Sequence, residues 1–326
     1  MLELSVVVPT FNRLDRLRQV IRALEAQTYP HDLFEVIVIS DGSTDGTDEF
    51  LQEIETPLNL RPVFQENQGV AVVRNRGIAE ATASIVLFLD DDVVPDPCLL
   101  EEHMRIHQER DNVVVIGPML TPSDFVMWPW VKWEQAQLTK QYDAMTSGKW
   151  DPTARQFYTG NASLRLTDVR AAGGFDPSFR RAEDVELAYR LSDMGLCFFY
   201  HPDAIGYHYA ERSFSSWITT PYVYGRNDVI FSRDKNQSWL LPQLFREFRY
   251  RNIIVILISL FCLDRPTLTE WTIKGLKKFA EMVDDASLER VSQLIYSGIF
   301  NLRYYQGVSD ELGGRRLFWK GVFNAG

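Results

Sequence analysis

Cysteine is scarce in this chain: Cys98, Cys197 and Cys262 are the three in 326 residues, odd in number and far apart. That excludes a disulfide framework and points to a reducing compartment. Positive charge is also short, with 34 Lys plus Arg against 44 Asp plus Glu and a net charge of −10. The pI is near 5.1. Such a chain lacks the broad positive field that grips a phosphate backbone, so nucleic acid is not an expected partner. Any anion it binds must be held locally, by a metal, a few arginines or backbone N–H groups. Long apolar runs are missing too. The most hydrophobic one, Ile253–Leu263, has 11 residues and includes Ser259 and Cys262. As a helix it would reach ~16 Å, about half of a ~30 Å bilayer core, so it is not expected to cross a membrane. Met1-Leu-Glu-Leu leads straight into an apolar strand, without the basic start and cleavage site of a signal peptide. The location expected from these absences is cytoplasmic. Internal repeats and low-complexity tracts are absent as well.

What the chain does have is a globular balance, 45% apolar and 24% charged, which excludes a largely disordered chain. At this size folding buries roughly three quarters of the extended surface, so no metal or disulfide staple is needed. Leu4–Pro9, Phe34–Ser40, Ile85–Leu89 and Val113–Ile116 are short runs rich in Val and Ile. Continuous runs of that kind fit strands covered on both faces. Leu14, Leu17, Ile21 and Leu24 recur at helical spacing before Pro30, and 43–54 and 68–81 read as two further helices, with a short strand near Val63. The alternation predicts an open, doubly wound α/β sheet, whose ligands sit outside the carboxyl ends of its strands. Three of those ends carry polar or acidic groups: Pro9-Thr10-Phe11-Asn12-Arg13, Ser40-Asp41-Gly42-Ser43 and Asp90-Asp91-Asp92. Residues 117–155 are rich in Pro and Trp without clear periodicity. A helix is expected from Asp184 to Met194, and the chain reads as mostly helical from Ser213.

Asp90-Asp91-Asp92 is the sharpest chemical signal. Adjacent carboxylates repel unless a cation sits among them, and oxygen ligands at a strand end suit Mg²⁺ or Mn²⁺ holding substrate phosphates. A solvated acidic turn is the plain alternative. Asp90-x-Asp92-x-Val94 also partly resembles the motif of haloacid dehalogenase-type phosphatases, in which the first Asp attacks phosphate. That motif normally closes an early strand and needs a distant Lys, and here it sits on a late one. In the 184–194 helix, Asp184 shares a face with Leu187, Ala188 and Leu191, so it points inward from the first turn; a simple helix N-cap is the alternative. His103 and His107 stand four apart on a predicted helix, but His-Met-Arg-Ile-His lacks the Glu of a zinc protease motif, so a solvated helix face is expected. Trp128, Trp130 and Trp133 suit either an aromatic acceptor platform or core packing.

In order along the chain stand V-V-V-P-T-F-N-R (6–13), S-D-G-S-T-D-G-T (40–47), N-Q-G-V-A-V-V-R-N-R-G-I (67–78), D-D-D (90–92), T-G-N-A-S-L-R (159–165), G-G-F-D (173–176) and E-D-V-E-L-A-Y-R (183–190). Together they resemble the family 2 glycosyltransferases of the GT-A fold, over residues 3–210. The resemblance implies a mixed, mainly parallel sheet with helices on both faces in residues 1–212, and a mainly helical extension in 213–326. It implies an inverting, metal-dependent enzyme of hexosyltransferase type that moves a sugar from a nucleotide-diphosphate donor, UDP-linked by expectation, to an acceptor hydroxyl. A role in cell-surface polysaccharide synthesis goes with it. Pro9, Thr10, Asn12, Asp41, Asn67 and Arg74 would line the nucleotide pocket, with Asp90, Asp91, Gly160 and Asn161 toward the ribose and sugar. Asp92 and His208 would hold Mn²⁺ or Mg²⁺, and Asp184 beside Glu183 would be the base. Ser40 stands where many members have another Asp. A non-catalytic glycan- or nucleotide-binding relative is the alternative from another class.

The acceptor expected is a glycan, a lipid-linked sugar or a small molecule. Lipid-linked acceptors would justify peripheral contact with the inner face of a membrane. Arg246, Arg249 and Arg251 before the 253–263 run make one candidate surface for that contact, and Arg315, Arg316, Phe318, Trp319 and Lys320 another.

Overall fold

The computed structural model describes residues 1–285 and 288–324, packed as two compact units. The first is Met1–Phe125 with Gln137–Ala210, and the second is Val126–Ala136 with Glu211–Gly326. In chain order come β1 (Leu4–Thr10), α1 (Leu14–Glu25), β2 (Phe34–Asp41), α2 (Thr47–Glu53), β3 (Leu60–Gln65), α3 (Val70–Glu80) and β4 (Ile85–Leu89). They are followed by β5 (Val93–Pro95), α4 (Leu99–Glu109), β6 (Val113–Ile116), β7 (Met119–Leu120), α5 (Pro129–Thr146), β8 (Asn161–Arg165) and α6 (Leu166–Ala171). The first unit closes with α7 (Glu183–Asp193), β9 (Cys197–Tyr200) and β10 (Gly206–His208).

Seven strands form the main sheet in the order β3-β2-β1-β4-β8-β6-β9. All neighbours run parallel except β8, which is antiparallel to β4 and β6. The apolar runs behave as their composition requires, and every residue of β2 is buried. Leu17, Val20, Ile21 and Leu24 of α1 turn inward. α3 lies so near β1 that a Cβ on Gly77 would stand 2.3 Å from a Val7 methyl. This topology brings the carboxyl ends of β1, β2 and β4 to one rim, and the register sets Leu89 opposite Asn161, so Gly160 arrives beside Asp90. β5, β10 and β7 make a second, three-stranded sheet that carries His208 back against Val93.

Two elements differ from the sequence reading. The helix expected over 43–54 starts only at Thr47, because Asp45 turns back to accept from the Thr47 N–H and hydroxyl and Gly46 has φ of 92°. The stretch read as aperiodic contains the helix α5. It packs with the second unit through Trp130, Val131 and Trp133 and with the first through Tyr142 and Met145, so no single apolar stripe runs its length. The chain passes from the first unit to the second after Ala210, within the 208–213 stretch read as the boundary, and 126–136 also joins the second unit.

That unit holds α8 (Phe214–Asp234), α9 (Leu240–Arg249), α10 (Ile253–Cys262), α11 (Pro266–Asp285), α12 (Glu289–Leu312) and α13 (Arg315–Asn324). α8 and α12 cross at two glycines: a Cβ on Gly225 would stand 2.0 Å from the Tyr304 carbonyl, and one on Gly307 2.0 Å from that of Tyr222. Trp217, fully buried, meets Trp133 and Tyr296 edge to face. Trp128 is 61% exposed and stacks flat on the buried Trp130. In the expected 315–320 patch Phe318 is core instead, fully buried against Phe245, Phe248 and Tyr305, and Trp319 is half-buried against the same cluster.

Candidate active site

The rim begins where β1 ends. Pro9 and Thr10 finish the strand, and Thr10 is buried beside Ser40 of β2. Asn12 takes φ of 53°, a left-handed conformation Asn tolerates. Its Oδ1 accepts from the Thr44 N–H at 2.7 Å, its own N–H donates to Ser43 Oγ at 3.1 Å, and Asp45 accepts from the Leu14 N–H at 3.0 Å. Asn12 therefore clasps the two strand-end loops together. Asp41, also buried, accepts from Gln65 Nε2 at 2.8 Å and from the Gln68 and Gly69 N–H groups at 3.0 and 2.9 Å. A carboxylate has about four acceptor positions, so one remains for a ligand. Asn67, on the loop that Asp41 gathers, is exposed.

Arg74 on α3 is the hub. Only 4% exposed, it donates to Asp90 at 2.8 Å and to Glu183 at 2.7 Å, with its guanidinium 5.6 Å from the Phe175 ring centre. One guanidinium thus ties the acidic triplet to the acidic pair on α7. The glycine turn before α7 is bolted to α3 by Asn75, which accepts from the Phe175 N–H at 2.7 Å and donates to its carbonyl at 2.8 Å. The α7 cap is Ala182, at φ 59° and without a side-chain bond, so Asp184 is not the N-cap. Burial, and then the neighbouring Glu183 charge, push the Asp184 carboxyl up to about 7, against the pull of Arg74.

Asp91 and Asp92 are both buried at the other end of the triplet. Burial and the adjoining carboxylates lift Asp91 to about 7, with Arg13 opposing. Burial also acts to raise Asp92, but His208 and Arg13 more than offset it and hold that carboxyl below the usual range. His208 Nε2 stands 3.6 Å from Asp92 Oδ1, and the Tyr209 N–H donates to the Asp92 carbonyl at 2.9 Å. Arg13, which the sequence reading gave no role, donates to Asp92 and lies 3.6 Å from Asp91. The signal for it was a lone cation following the Pro-Thr-Phe-Asn strand end, on the rim that delivers three acids.

Asp92 and His208 bring a carboxylate and an imidazole together, a donor pair that suits a hard divalent ion completed by substrate phosphates and water, and Arg13, which donates to Asp92 here, would have to give way to it. A different group, Glu102, His201 and Asp203, brings three donor atoms together. Arg105 already lies 2.9 Å from that imidazole and 2.8 Å from that Glu, which disfavours a second cation there.

Gly160 and Asn161 differ from one another. A Cβ on Gly160 would stand 2.6 Å from Met119 Sδ and 3.0 Å from Asp90 Oδ2, so any larger residue must push these side chains aside to approach the triplet. The Asn161 side chain is fully buried and faces away from solvent. It donates to the Pro118 and Ala204 carbonyls at 3.0 and 2.8 Å, and its Oδ1 meets His103 Nε2 at 2.9 Å. His103 and His107 both meet Ser163 Oγ at 2.8 Å. The solvated helix face expected for these histidines is therefore corrected. His103 is fully buried and His107 half-buried, and burial holds their pKa values down, to about 3 and about 4.

The sheet, with one reversed strand and an acidic triplet at its rim, is of the GT-A type of nucleotide-sugar transferases. A sequence model of Glycosyl transferase family 2 matches residues 5–170, and the chain belongs to that family. Glycosyltransferase AglE of Haloferax volcanii is 25% identical over 292 residues, which cover 88% of this chain and 89% of that protein. Validoxylamine A glucosyltransferase of Streptomyces hygroscopicus subsp. jinggangensis is 33% identical over 220 residues, 59% of this chain and 52% of its own length. Among solved structures, mannosyltransferase PcManGT from Pyrobaculum calidifontis, in complex with GDP-Man and Mn²⁺, superposes with a TM-score of 0.62 at 19% identity, over 92% of this chain and 85% of that one. S. aureus TarS 1–349 in complex with UDP-GlcNAc gives 0.59 at 20% identity, over 96% and 92%. The family match displaces the phosphatase alternative.

Proposed function

We propose that this transferase inverts the anomeric centre of a UDP-linked sugar as it passes to an acceptor hydroxyl, with Asp184 as base and a divalent ion held by Asp92 and His208. One observation carries the reading: the Arg74 guanidinium joins Asp90 and Glu183, setting the metal-side acids and the Asp184 carboxyl at two ends of one buried ion cluster. Inversion needs that separation of roles, one group taking the acceptor's proton while another stabilises the leaving diphosphate. The ion, when bound, supplies charge stabilisation of that diphosphate.

The chain's own residues do the rest. Asp41 offers its remaining acceptor position to a base N–H. Pro9, Thr10, Asn12 and Asn67 shape the nucleotide wall, Asn12 by holding its loops closed. Gly160 admits the donor beside Asp90, while Asn161 acts from behind by fixing the loops before β7 and β10. A carboxyl lifted to about 7 is a stronger base than an ordinary Asp and still ionises near neutrality, which suits removal of a hydroxyl proton in flight. An acceptor that is a glycan, a lipid-linked sugar or a small molecule, Mn²⁺ or Mg²⁺ as the ion, and a place in cell-surface polysaccharide synthesis belong to the same proposal. So does a cytoplasmic position in peripheral contact with a membrane; no described helix is long and apolar enough to cross one.

The test is donor hydrolysis and transfer with a panel of UDP- and GDP-sugars, with Mn²⁺, Mg²⁺ or chelator. UDP release that needs the ion and disappears in Asp184→Asn is expected. No turnover of any donor, with tight nucleotide binding retained, would instead make the chain a non-catalytic binding relative.

A further inference from the structure

Helices of soluble proteins turn their polar side to water and bury their apolar side. α10 does the reverse. It contains no charged residue, and its buried side chains are Val255, Ser259 and Cys262, two of them the most polar in the helix. Outward stand Ile253 at 64% exposure, Ile254 at 61%, Leu257 at 45%, Leu260 at 36% and Phe261 at 56%. Their spacing of i, i+1, i+4, i+7 and i+8 puts all five on one face. Tyr250 in the preceding turn is 90% exposed, and Leu268 and Trp271 on the first turns of α11 are 41% and 74% exposed. Apolar surface in this concentration marks an interaction site.

Charge says what covers it. Arg246 and Arg249 are exposed in the last turn of α9, Arg265 is exposed just after α10, and Lys274 and Lys278 stand outward on α11, one and two turns beyond Trp271. Residues 211–326 hold 16 Lys plus Arg against 12 Asp plus Glu, whereas residues 1–210 hold 18 against 32. The acidic total therefore hides a positive excess in the part of the chain that bears the apolar face. A second copy of the chain docking face to face would set these cations against their own kind. Anionic headgroups above acyl chains complement both features, and exposed Trp and Tyr side chains suit the headgroup level. At ten residues α10 reaches ~15 Å, enough to lie in the interface and too little to span it.

We propose that the outer face of α10, with the first turns of α11, docks this chain on an anionic lipid surface. The proposal deepens the reading of peripheral contact and rests on it, but not on the transfer chemistry, so donor hydrolysis is measured alongside to let the two fail separately. The full chain is floated with vesicles of phosphatidylcholine alone or mixed with phosphatidylglycerol, at low and high salt. Recovery with the phosphatidylglycerol vesicles at low salt, declining with salt, is expected. Leu257→Glu with Phe261→Glu should lower vesicle partition at least ~10-fold, and Arg246→Gln with Arg249→Gln should lower it about 30-fold on anionic vesicles at low salt. These four side chains are exposed, so circular dichroism should match wild type, and Ile254→Gln serves if the double Glu variant does not fold. Wild-type protein left at the bottom of the low-salt anionic gradient overturns the proposal, as do variants that float like wild type. A dimer broken by Phe261→Glu, without flotation, also overturns it and assigns the face to a second copy. Hydrolysis lost while flotation persists leaves the proposal standing and counts against the transferase reading alone.

Discussion

Asp92 and Asp184 are both carboxylates, yet neutralising them should have different consequences. In the proposed mechanism Asp92→Asn removes the charge that would hold the ion, so donor affinity and turnover should fall together. Asp184→Asn leaves the nucleotide side untouched and should cost ~10²–10⁴-fold in kcat with UDP affinity near wild type, read by calorimetry beside steady-state kinetics. Loss of UDP binding in both variants would make Asp184 structural. The pH profile gives an independent check. The Asp184 carboxyl is lifted to about 7 by burial and Glu183, and in the proposed role of base it must lose its proton to work, so kcat should climb with pH through that region and level off above it. Asp41→Asn belongs to the same scale. Its three accepted N–H bonds anchor the loop after β3, so the amide should weaken UDP binding and also destabilise the fold by ~1–3 kcal/mol. A melting temperature equal to wild type would show that the loop does not depend on it.

Glycines allow a pair of opposed predictions for the helices of the second unit. Gly225 has the Tyr304 carbonyl 2.0 Å from where a Cβ would be, while Gly275 on α11 has nothing within 4 Å. Gly225→Ala must part α8 from α12, and overpacking of ~1–3 kcal/mol outweighs the ~0.5–1 kcal/mol that alanine gains in a helix. Gly275→Ala keeps the gain alone. Thermal melts should move down for the first and up for the second. Elements of this kind also show what the sequence made legible. β4 and β6 have the bounds their Val and Ile runs predict, because continuous burial leaves a continuous apolar record. α5 left no such record, since its buried side chains serve two units. In the site, the acids were readable by type and spacing, whereas Arg74 was placed in the nucleotide pocket by the motif resemblance alone and Arg13 was not placed at all. Arg74 and Arg13 act on carboxylates far away in the chain, and nothing local distinguishes them from surface arginines. Asn161 could be placed near the site by motif, yet only the fold shows its side chain turned inward.

For the whole molecule, the donor should act as a stabiliser. A nucleotide sugar present with Mn²⁺ at 100 times its Kd should add ~2.7 kcal/mol, and a thermal-shift screen that finds no stabilising donor would contradict the proposed pocket. Acid should act the other way. His103 and His107 sit in the fold with pKa values of about 3 and about 4 against 6.5 when free. The unfolded chain therefore binds protons first as pH falls. Their stabilising effect is complete above about 6.5 and is lost progressively as pH drops toward the folded values, by roughly 4 kcal/mol for the pair at pH 5. Urea denaturation at pH 7 and pH 5 measures it, and His107→Gln should remove close to half of the difference.

The same histidines fix a direction. Asn161 commits its amide hydrogens to the Pro118 and Ala204 carbonyls, so its oxygen must receive the Nε2 hydrogen of His103. His103 Nδ1 is then a bare lone pair and takes the Ser163 hydroxyl hydrogen, and the Ser163 oxygen in turn takes the Nε2 hydrogen of His107, whose Nδ1 has no partner. Both rings are held in a single tautomer, and the row runs one way, from His107 through Ser163, His103 and Asn161 to the loops ahead of β7 and β10. Nitrogen NMR of labelled histidine should show two Nε2–H imidazoles that do not exchange tautomers. Ser163→Ala would leave His107 Nε2 without its acceptor and free that ring to change tautomer, while the Asn161 oxygen keeps the His103 hydrogen on Nε2.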